Sequence, residues 1–182
     1  MHVWLAAEGT GPPSAAHNLL IALAGTLVGG SPVLTHDPGG RPHVPGLAVS
    51  LSRTPSLVVA AASYGGLLGV DMEEVYPREV TALAERWFAP AELEWMAGRP
   101  DRLRAFLQLW TAKEAVGKAL GQGLGNAGLR RPMPLGGGVV ASEPGLLVTY
   151  VPWDGLVLAL AAPTDLAEIV VHHENADSPV VV

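Results

Sequence analysis

The sequence predicts an α+β chain made of two similar halves, and three observations carry that prediction. The 182 residues are 49% hydrophobic, enough apolar side chain for one well-buried core. Segments with a period of two are interleaved with segments of helical period along the whole length. Each half also runs through the same order: a helix, a loop rich in Gly and Pro, a strand and a hairpin. One domain over residues 1–182 is expected, with an N-terminal half to about residue 75, a C-terminal half from about residue 76, and the site in the cleft between them.

The N-terminal half begins with His2-Val3-Trp4-Leu5, which alternates as a short edge strand would. Ser14 is a suitable N-cap for a helix through residues 18–24, and Gly29-Gly30 can stop it. His17 and His36 read most simply as surface residues. Asp37-Pro38-Gly39-Gly40-Arg41-Pro42 has the chemistry of a turn. Residues 47–52 form a strand that ends at Arg53-Thr54. Residues 57–62 and 67–72 read as the arms of a hairpin around Ser63-Tyr64-Gly65-Gly66.

In the C-terminal half, Pro77 is placed to open a helix whose Val80, Leu83, Ala84 and Trp87 share a face. Another helix begins near Phe88 and Pro90. Its Glu92 and Glu94, like Glu85 before them, read as solvated helix charges. After the helix at residues 106–120 comes a flexible Gly/Pro segment through Gly138, which carries Arg130-Arg131. Residues 146–151 and 156–161 make a hairpin around Pro152-Trp153-Asp154-Gly155, and residues 168–172 a last strand. His172-His173 beside Glu174 has the look of a metal cluster, but its place at the end of the chain argues against one.

Two stretches carry the chemistry. In the helix, Leu103, Phe106, Leu107 and Trp110 share a face. At about 100° per residue, Glu114 returns to within roughly 20° of the direction of Leu103. A carboxylate thus continues an apolar stripe, which is costly unless it is paired or bound to a metal. Lys118 sits one turn further on, and Lys113 lies on the other apolar flank. An ordinary Glu–Lys pair at this spacing, worth about 0.2–0.5 kcal/mol, would also account for the pattern. In Gly69-Val70-Asp71-Met72-Glu73, alternation puts Val70 and Met72 on one side and Asp71 and Glu73 on the other. Two carboxylates on one strand face repel unless solvent or a cation separates them, and hard oxygen donors suit Mg²⁺ or Mn²⁺.

Together, Gly69-Val70-Asp71-Met72-Glu73 and Trp110-Thr111-Ala112-Lys113-Glu114-Ala115 resemble the two signature motifs of the 4′-phosphopantetheinyl transferase superfamily. The length is similar to the larger, pseudo-dimeric branch, which acts on carrier proteins of polyketide and nonribosomal peptide synthesis. The resemblance implies a pseudo-two-fold fold and Mg²⁺, or Mn²⁺, held by Asp71, Glu73 and Glu114. The substrates it implies are coenzyme A and an apo acyl or peptidyl carrier protein. It further implies Glu114 as the base toward the carrier serine, with Lys118 and Lys113 on the departing phosphate. Arg41, in an element similar to the family's Gly-Lys/Arg-Pro, is expected at the nucleotide, and Ser52 and Arg53 at a phosphate.

The chain departs from the family pattern twice. Residues 1–40 contain no Lys or Arg, where the family brings cations toward coenzyme A. Ser52-Arg53-Thr54 stands where the family has Ser-His-Ser. Arginine grips phosphate through two N–H bonds but shuttles no proton near neutral pH. These departures leave open a chain that kept the fold and lost or changed the transfer. Such a chain would serve as an accessory subunit binding a carrier protein or a synthase, or as an enzyme adapted to another small molecule.

Composition narrows the classes further. The absence of Cys excludes disulfides, thiolate metal sites and a cysteine nucleophile. A formal net charge of −6 argues against nonspecific nucleic-acid binding. The apolar runs are too short or too broken by Gly65-Gly66 for a membrane span, and no signal peptide is legible. The expectation is a cytoplasmic monomer.

Overall fold

The computed structural model describes residues 1–7, 15–122, 126–166, 168–173 and 180–181, and the fold is mixed α+β. Two twisted sheets stack face to face, with one long helix on the outer face of each. The first sheet contains β1 (His2–Ala7), β4 (Ala48–Arg53), β5 (Leu57–Ser63), β10 (Val170–His173) and β11 (Val180–Val181), in the order β11-β10-β1-β5-β4. The second contains β6 (Gly69–Glu74), β7 (Gly138–Val140), β8 (Glu143–Val151) and β9 (Leu156–Pro163), in the order β6-β9-β8-β7. A two-stranded ribbon, β2 (Thr35–His36) and β3 (Pro42–His43), closes the turn that carries Arg41.

The apolar runs of β5 and β9 follow from burial on both faces. In β9, Leu156, Leu158 and Leu160 face β5 and β1 across the sheet-on-sheet core, where they meet Val3, Leu5, Val59 and Ala61. Val157, Ala159 and Ala161 face outward to the helix α4 (Arg102–Ala119). On the other side, Ala60 and Ala62 of β5 pack under Leu20, Leu23 and Ala24 of α1 (Ala15–Val28). Helices α2 (Thr81–Trp87) and α3 (Pro90–Ala97) lead into α4, and the short α5 (Asn126–Leu129) follows it.

The two halves share a topology. β1-α1-β4-β5 and β6-α4-β8-β9 are each a strand, a helix and two antiparallel strands. The third strand lies between the other two in both sheets. The repeat therefore opens with β1 in the first unit and with β6, at Gly69, in the second.

Several expectations are corrected. Residues 57–62 and 67–72 do not pair as a hairpin. β5 pairs with β4 and β1, and β6 crosses to the second sheet to pair with β9. Local turn chemistry at Ser63-Tyr64-Gly65-Gly66 is real, with positive φ at Gly65 and Gly66, but it serves a crossover. β1 is not an edge strand, because it lies between β5 and β10. Pro77 does not open a helix, since α2 begins only at Thr81. Ser14 and Glu174 lie outside the described residues. The second hairpin, β8 and β9, forms as read.

The placement of α4 depends on one residue. A Cβ at Gly69 would run into the carbonyl oxygen of Ala115 and lie 2.7 Å from the backbone nitrogen of Ala119. Only glycine lets α4 approach β6 so closely. With Ala112, Ala115 and Ala119 on the buried face of the helix, Glu114 and Lys118 are thereby laid beside Asp71 and Glu73.

Candidate active site

A cavity of about 750 Å³ opens between the halves. Its walls come from α1, the β2–β3 turn, β4, β6 and the C-terminal turns of α4. Arg41, Ser52, Arg53, Asp71, Glu73, Glu114 and Lys118 all line it, so seven of the eight side chains singled out from the sequence face one space.

Asp71 lies deepest. Its Oδ1 accepts from the Ser52 hydroxyl at 2.9 Å and from the Lys118 ammonium at 2.7 Å. Burial pushes its carboxyl above the ordinary carboxylate range, opposed by Lys118 and Ser52. Ser52 Oγ in turn accepts the backbone N–H of Met72 at 3.3 Å, and Ser50 Oγ accepts that of Val70 at 3.0 Å. The two serines of β4 thus hold the outer edge of β6, which β9 does not cover. Lys118 spends its remaining donors on the carbonyls of Leu51 at 3.0 Å and Val70 at 2.9 Å. With all three N–H groups used, this side chain ties α4, β4 and β6 together at the floor of the cleft.

Glu73 points the same way as Asp71, as alternation requires, and is paired with Arg78 at 2.7 Å. Neither acid is paired with Arg53. Glu114 is held up to about 7, first by burial and then by repulsion from Asp71 and Glu73, with Lys118 pulling the other way. A carboxyl that keeps its proton to neutral pH between two other carboxylates is a group that a cation would ionise. The donor set, three carboxylates on one wall of a cleft, fits a hard divalent metal. Among the described residues these acids are not gathered into a ready three-ligand cluster, because Lys118 and Arg78 stand as counter-ions to two of them.

Arg41 reaches the end of α4, where its Nη2 donates to the carbonyl of Ala119 at 3.4 Å. This is the C-terminus of α4, where the helix dipole favours a cation. Asp37 fixes its backbone by accepting the Arg41 N–H at 2.9 Å. Gly121, with φ of +66°, makes room for the guanidinium; a Cβ there would come within 2.6 Å of Nη1.

Lys113 is the exception. It was expected at the departing phosphate, yet its side chain is 0% exposed and it does not line the cleft. Its ammonium donates to both oxygens of Glu92, at 2.8 and 3.0 Å, and to the carbonyl of Arg131 at 2.6 Å. Burial pulls Lys113 below its ordinary value, against the attraction of Glu92. Glu92 also accepts the backbone N–H groups of Ala89 at 2.7 Å and Met133 at 2.8 Å. The reason is helical geometry: one residue before Glu114 points about 100° away, into the α3 side of the helix.

Glu92 was read as a solvated charge and is in fact buried. A signal for it exists in the pattern Ala89-Pro90-Ala91-Glu92, where a proline opens the helix and a glutamate at the third position reaches back to cap it. Nothing in the sequence singled out Arg78. His17 and His36, read as surface residues, both line the cleft and stand with their Nε2 atoms 2.9 Å apart.

Comparison with known proteins agrees with the signature motifs. The sequence model of the 4′-phosphopantetheinyl transferase superfamily matches residues 67–134, a segment that begins just before β6, includes α4 and ends between α5 and β7. The chain is similar to 4′-phosphopantetheinyl transferase HetI of Nostoc sp. strain PCC 7120, 36% identical over 98 residues, covering 52% of this chain and 40% of that protein. It is also similar to the slr0495 protein of Synechocystis sp. strain PCC 6803, whose name assigns it the same activity provisionally. There the identity is 38% over 112 residues, covering 55% of this chain and 44% of that one. The matches span less than half the length of these relatives.

Proposed function

We propose, from the premise that residues 67–134 belong to the 4′-phosphopantetheinyl transferase superfamily, that this chain is a transferase. It moves the 4′-phosphopantetheine moiety of coenzyme A to a serine of an apo acyl or peptidyl carrier protein and releases 3′,5′-ADP. The observation that supports this reading is the convergence of Asp71, Glu73 and Glu114 with Arg41 and Arg53 on one cleft. Acids for a cation and guanidinium groups for phosphates line the same space.

The chemistry asks little covalent work of the protein. The carrier serine Oγ bonds to the β-phosphorus of coenzyme A. The bond from that phosphorus to the bridging oxygen breaks, and this oxygen leaves with 3′,5′-ADP. The serine proton passes to Glu114, directly or through a water. Asp71, Glu73 and Glu114 would hold Mg²⁺ or Mn²⁺, which supplies Lewis-acid charge at the pyrophosphate. Arg41 and Arg53 orient the nucleotide phosphates. Lys118 keeps β6 and α4 in register beneath them, its donors committed to Asp71, Leu51 and Val70. The reading carries with it a monomer acting in the cytoplasm.

A second reading rests on the ion pairs Lys118–Asp71 and Arg78–Glu73, which satisfy two of the acids from within the chain. In that reading the cleft is kept by an accessory subunit that no longer transfers. One experiment separates the two: incubate the protein with coenzyme A, Mg²⁺ and a panel of apo carrier proteins, and record intact masses. A carrier that gains phosphopantetheine only with Mg²⁺ present supports the transferase. No gain on any carrier, with coenzyme A still bound, supports the accessory reading.

A further inference from the structure

Two of the acids on the cleft have a cation beside them, and the two cations are placed differently. Lys118, paired with Asp71 at 2.7 Å, lines the cleft itself. Arg78 donates from Nη2 to Oε2 of Glu73 at 2.7 Å, yet Arg78 does not line the cleft that Glu73 lines. It therefore reaches this carboxylate from outside the cleft. The contact takes one oxygen, and a carboxylate has a second with acceptor positions of its own. Oε1 is left for another ligand.

The guanidinium is itself held in place. It lies 4.6 Å from the centroid of the Tyr76 ring. The loop that carries it is fixed on both sides. The N–H of Val75 donates to the carbonyl of Gly155 at 2.8 Å, and Pro77 restricts the backbone between Tyr76 and Arg78. At the start of α2, Glu79 Oε1 accepts the N–H groups of Val80 at 2.9 Å and Thr81 at 3.0 Å. The Arg78 and Glu73 side chains are 25% and 30% exposed. An ion pair at that exposure adds little to stability, so its use lies in the geometry it fixes.

We propose that Arg78 is a positioning residue for the cation site: it grips Oε2 of Glu73 from outside the cleft and so presents Oε1 to the divalent metal. The inference rests on the reading in which Asp71, Glu73 and Glu114 hold that metal. Without Arg78 the long glutamate side chain is free to turn its carboxylate toward water, and ordering it again weakens metal binding. Plain electrostatics runs the other way. A guanidinium near the site repels a divalent cation, so removing it would tighten binding if charge alone mattered. The sign of the change separates the two.

The test is Mn²⁺ binding to the full chain, read from the loss of the free-ion signal in electron paramagnetic resonance, for native protein, Arg78→Met and Arg78→Lys. Methionine keeps an apolar stem over Tyr76 and removes the donors. Partners that orient a ligating side chain change metal affinity by about 10–100-fold, and Arg78→Met is expected to lose affinity by that factor. Arg78→Lys returns one charged donor and should recover part of the loss. In a Glu73→Gln background, Arg78→Met should have no further effect, because Arg78 acts through that carboxylate. Coenzyme A titrated by calorimetry without metal should bind native and Arg78→Met protein alike. Should Arg78→Met not fold, Arg78→Lys decides, with a several-fold loss of Mn²⁺ affinity expected. Unchanged or tighter Mn²⁺ binding in Arg78→Met overturns the inference and leaves the metal site standing. Weaker binding of metal-free coenzyme A also overturns it, by making Arg78 a phosphate ligand. A native protein that takes up no Mn²⁺ fails the metal reading, and the inference falls with it.

Discussion

Replacing Gly69 by alanine tests the contact on which the site is built. The added Cβ would meet the Ala115 carbonyl and stand 2.7 Å from the Ala119 nitrogen and 2.8 Å from the Ala115 carbonyl carbon. All three are backbone atoms of α4, so no side chain can swing aside. To restore ordinary contact near 3.5 Å with the Ala115 carbonyl oxygen, α4 must retreat from β6 by roughly 1.5–2 Å. Overpacking of this kind costs about 1–3 kcal/mol. For a chain of this size each kcal/mol moves Tm by about 2–4 °C, so a fall of roughly 2–12 °C is expected by calorimetry. The same retreat stretches the 2.7 Å Lys118–Asp71 pair and draws Glu114 away from the other acids. Carrier modification should therefore fall further than stability does, because a misplacement of about 1 Å can cost about 100-fold in rate. Gly145→Ala is the control: nothing lies within 4 Å of a Cβ there, and Tm should change little. A Gly69→Ala protein with native Tm and native transfer would refute the close approach of α4 to β6.

Three further outcomes are expected. Lys113→Met leaves Glu92 buried without its ammonium, so chemical denaturation should show a loss of about 3–5 kcal/mol, with the coenzyme A affinity of the folded fraction little changed. The reverse result, intact stability and lost affinity, would put Lys113 at the phosphates after all. Glu114 binds its proton to about pH 7 when folded, against an ordinary 4.5, so the folded state holds more protons across that window and stability declines as pH rises through it. Urea titrations at pH 5 and pH 8 should show Glu114→Gln removing part of that decline, and Mg²⁺ should move the Glu114 carboxyl resonance toward ionisation at lower pH. Gly121→Ala should push the Arg41 guanidinium off the end of α4 and add strain at φ of +66°. Coenzyme A affinity is then expected to drop with salt dependence reduced, and unchanged binding in calorimetry would remove Arg41 from the phosphate site.

Much of the geometry of the candidate site was legible in the sequence because its signals are local. Alternation alone put Asp71 and Glu73 on one face of a strand. Helical period alone set Glu114 on the face that meets that strand. The turn around Arg41 and the β8–β9 hairpin are also short-range features, fixed by Gly, Pro and Asp chemistry within a few residues. What the sequence left undecided is what pairs with what across distance. The run at Ser63-Tyr64-Gly65-Gly66 has the residues of a tight turn, yet β5 and β6 part company, because the strand that completes the apolar face of each lies elsewhere in the chain. Glu92 reads as a solvated charge and Lys113 as a phosphate ligand until α3 closes on α4 and removes water from both. Arg78 becomes a partner of Glu73 only through the path of the loop before α2. His17 and His36 become neighbours only because α1 and the β2–β3 ribbon both border the cleft. Periodicity is a property of a few adjacent residues and survives in the sequence. The burial that turns a charge into a buried pair is a property of the surfaces that meet, and only the tertiary structure supplies those.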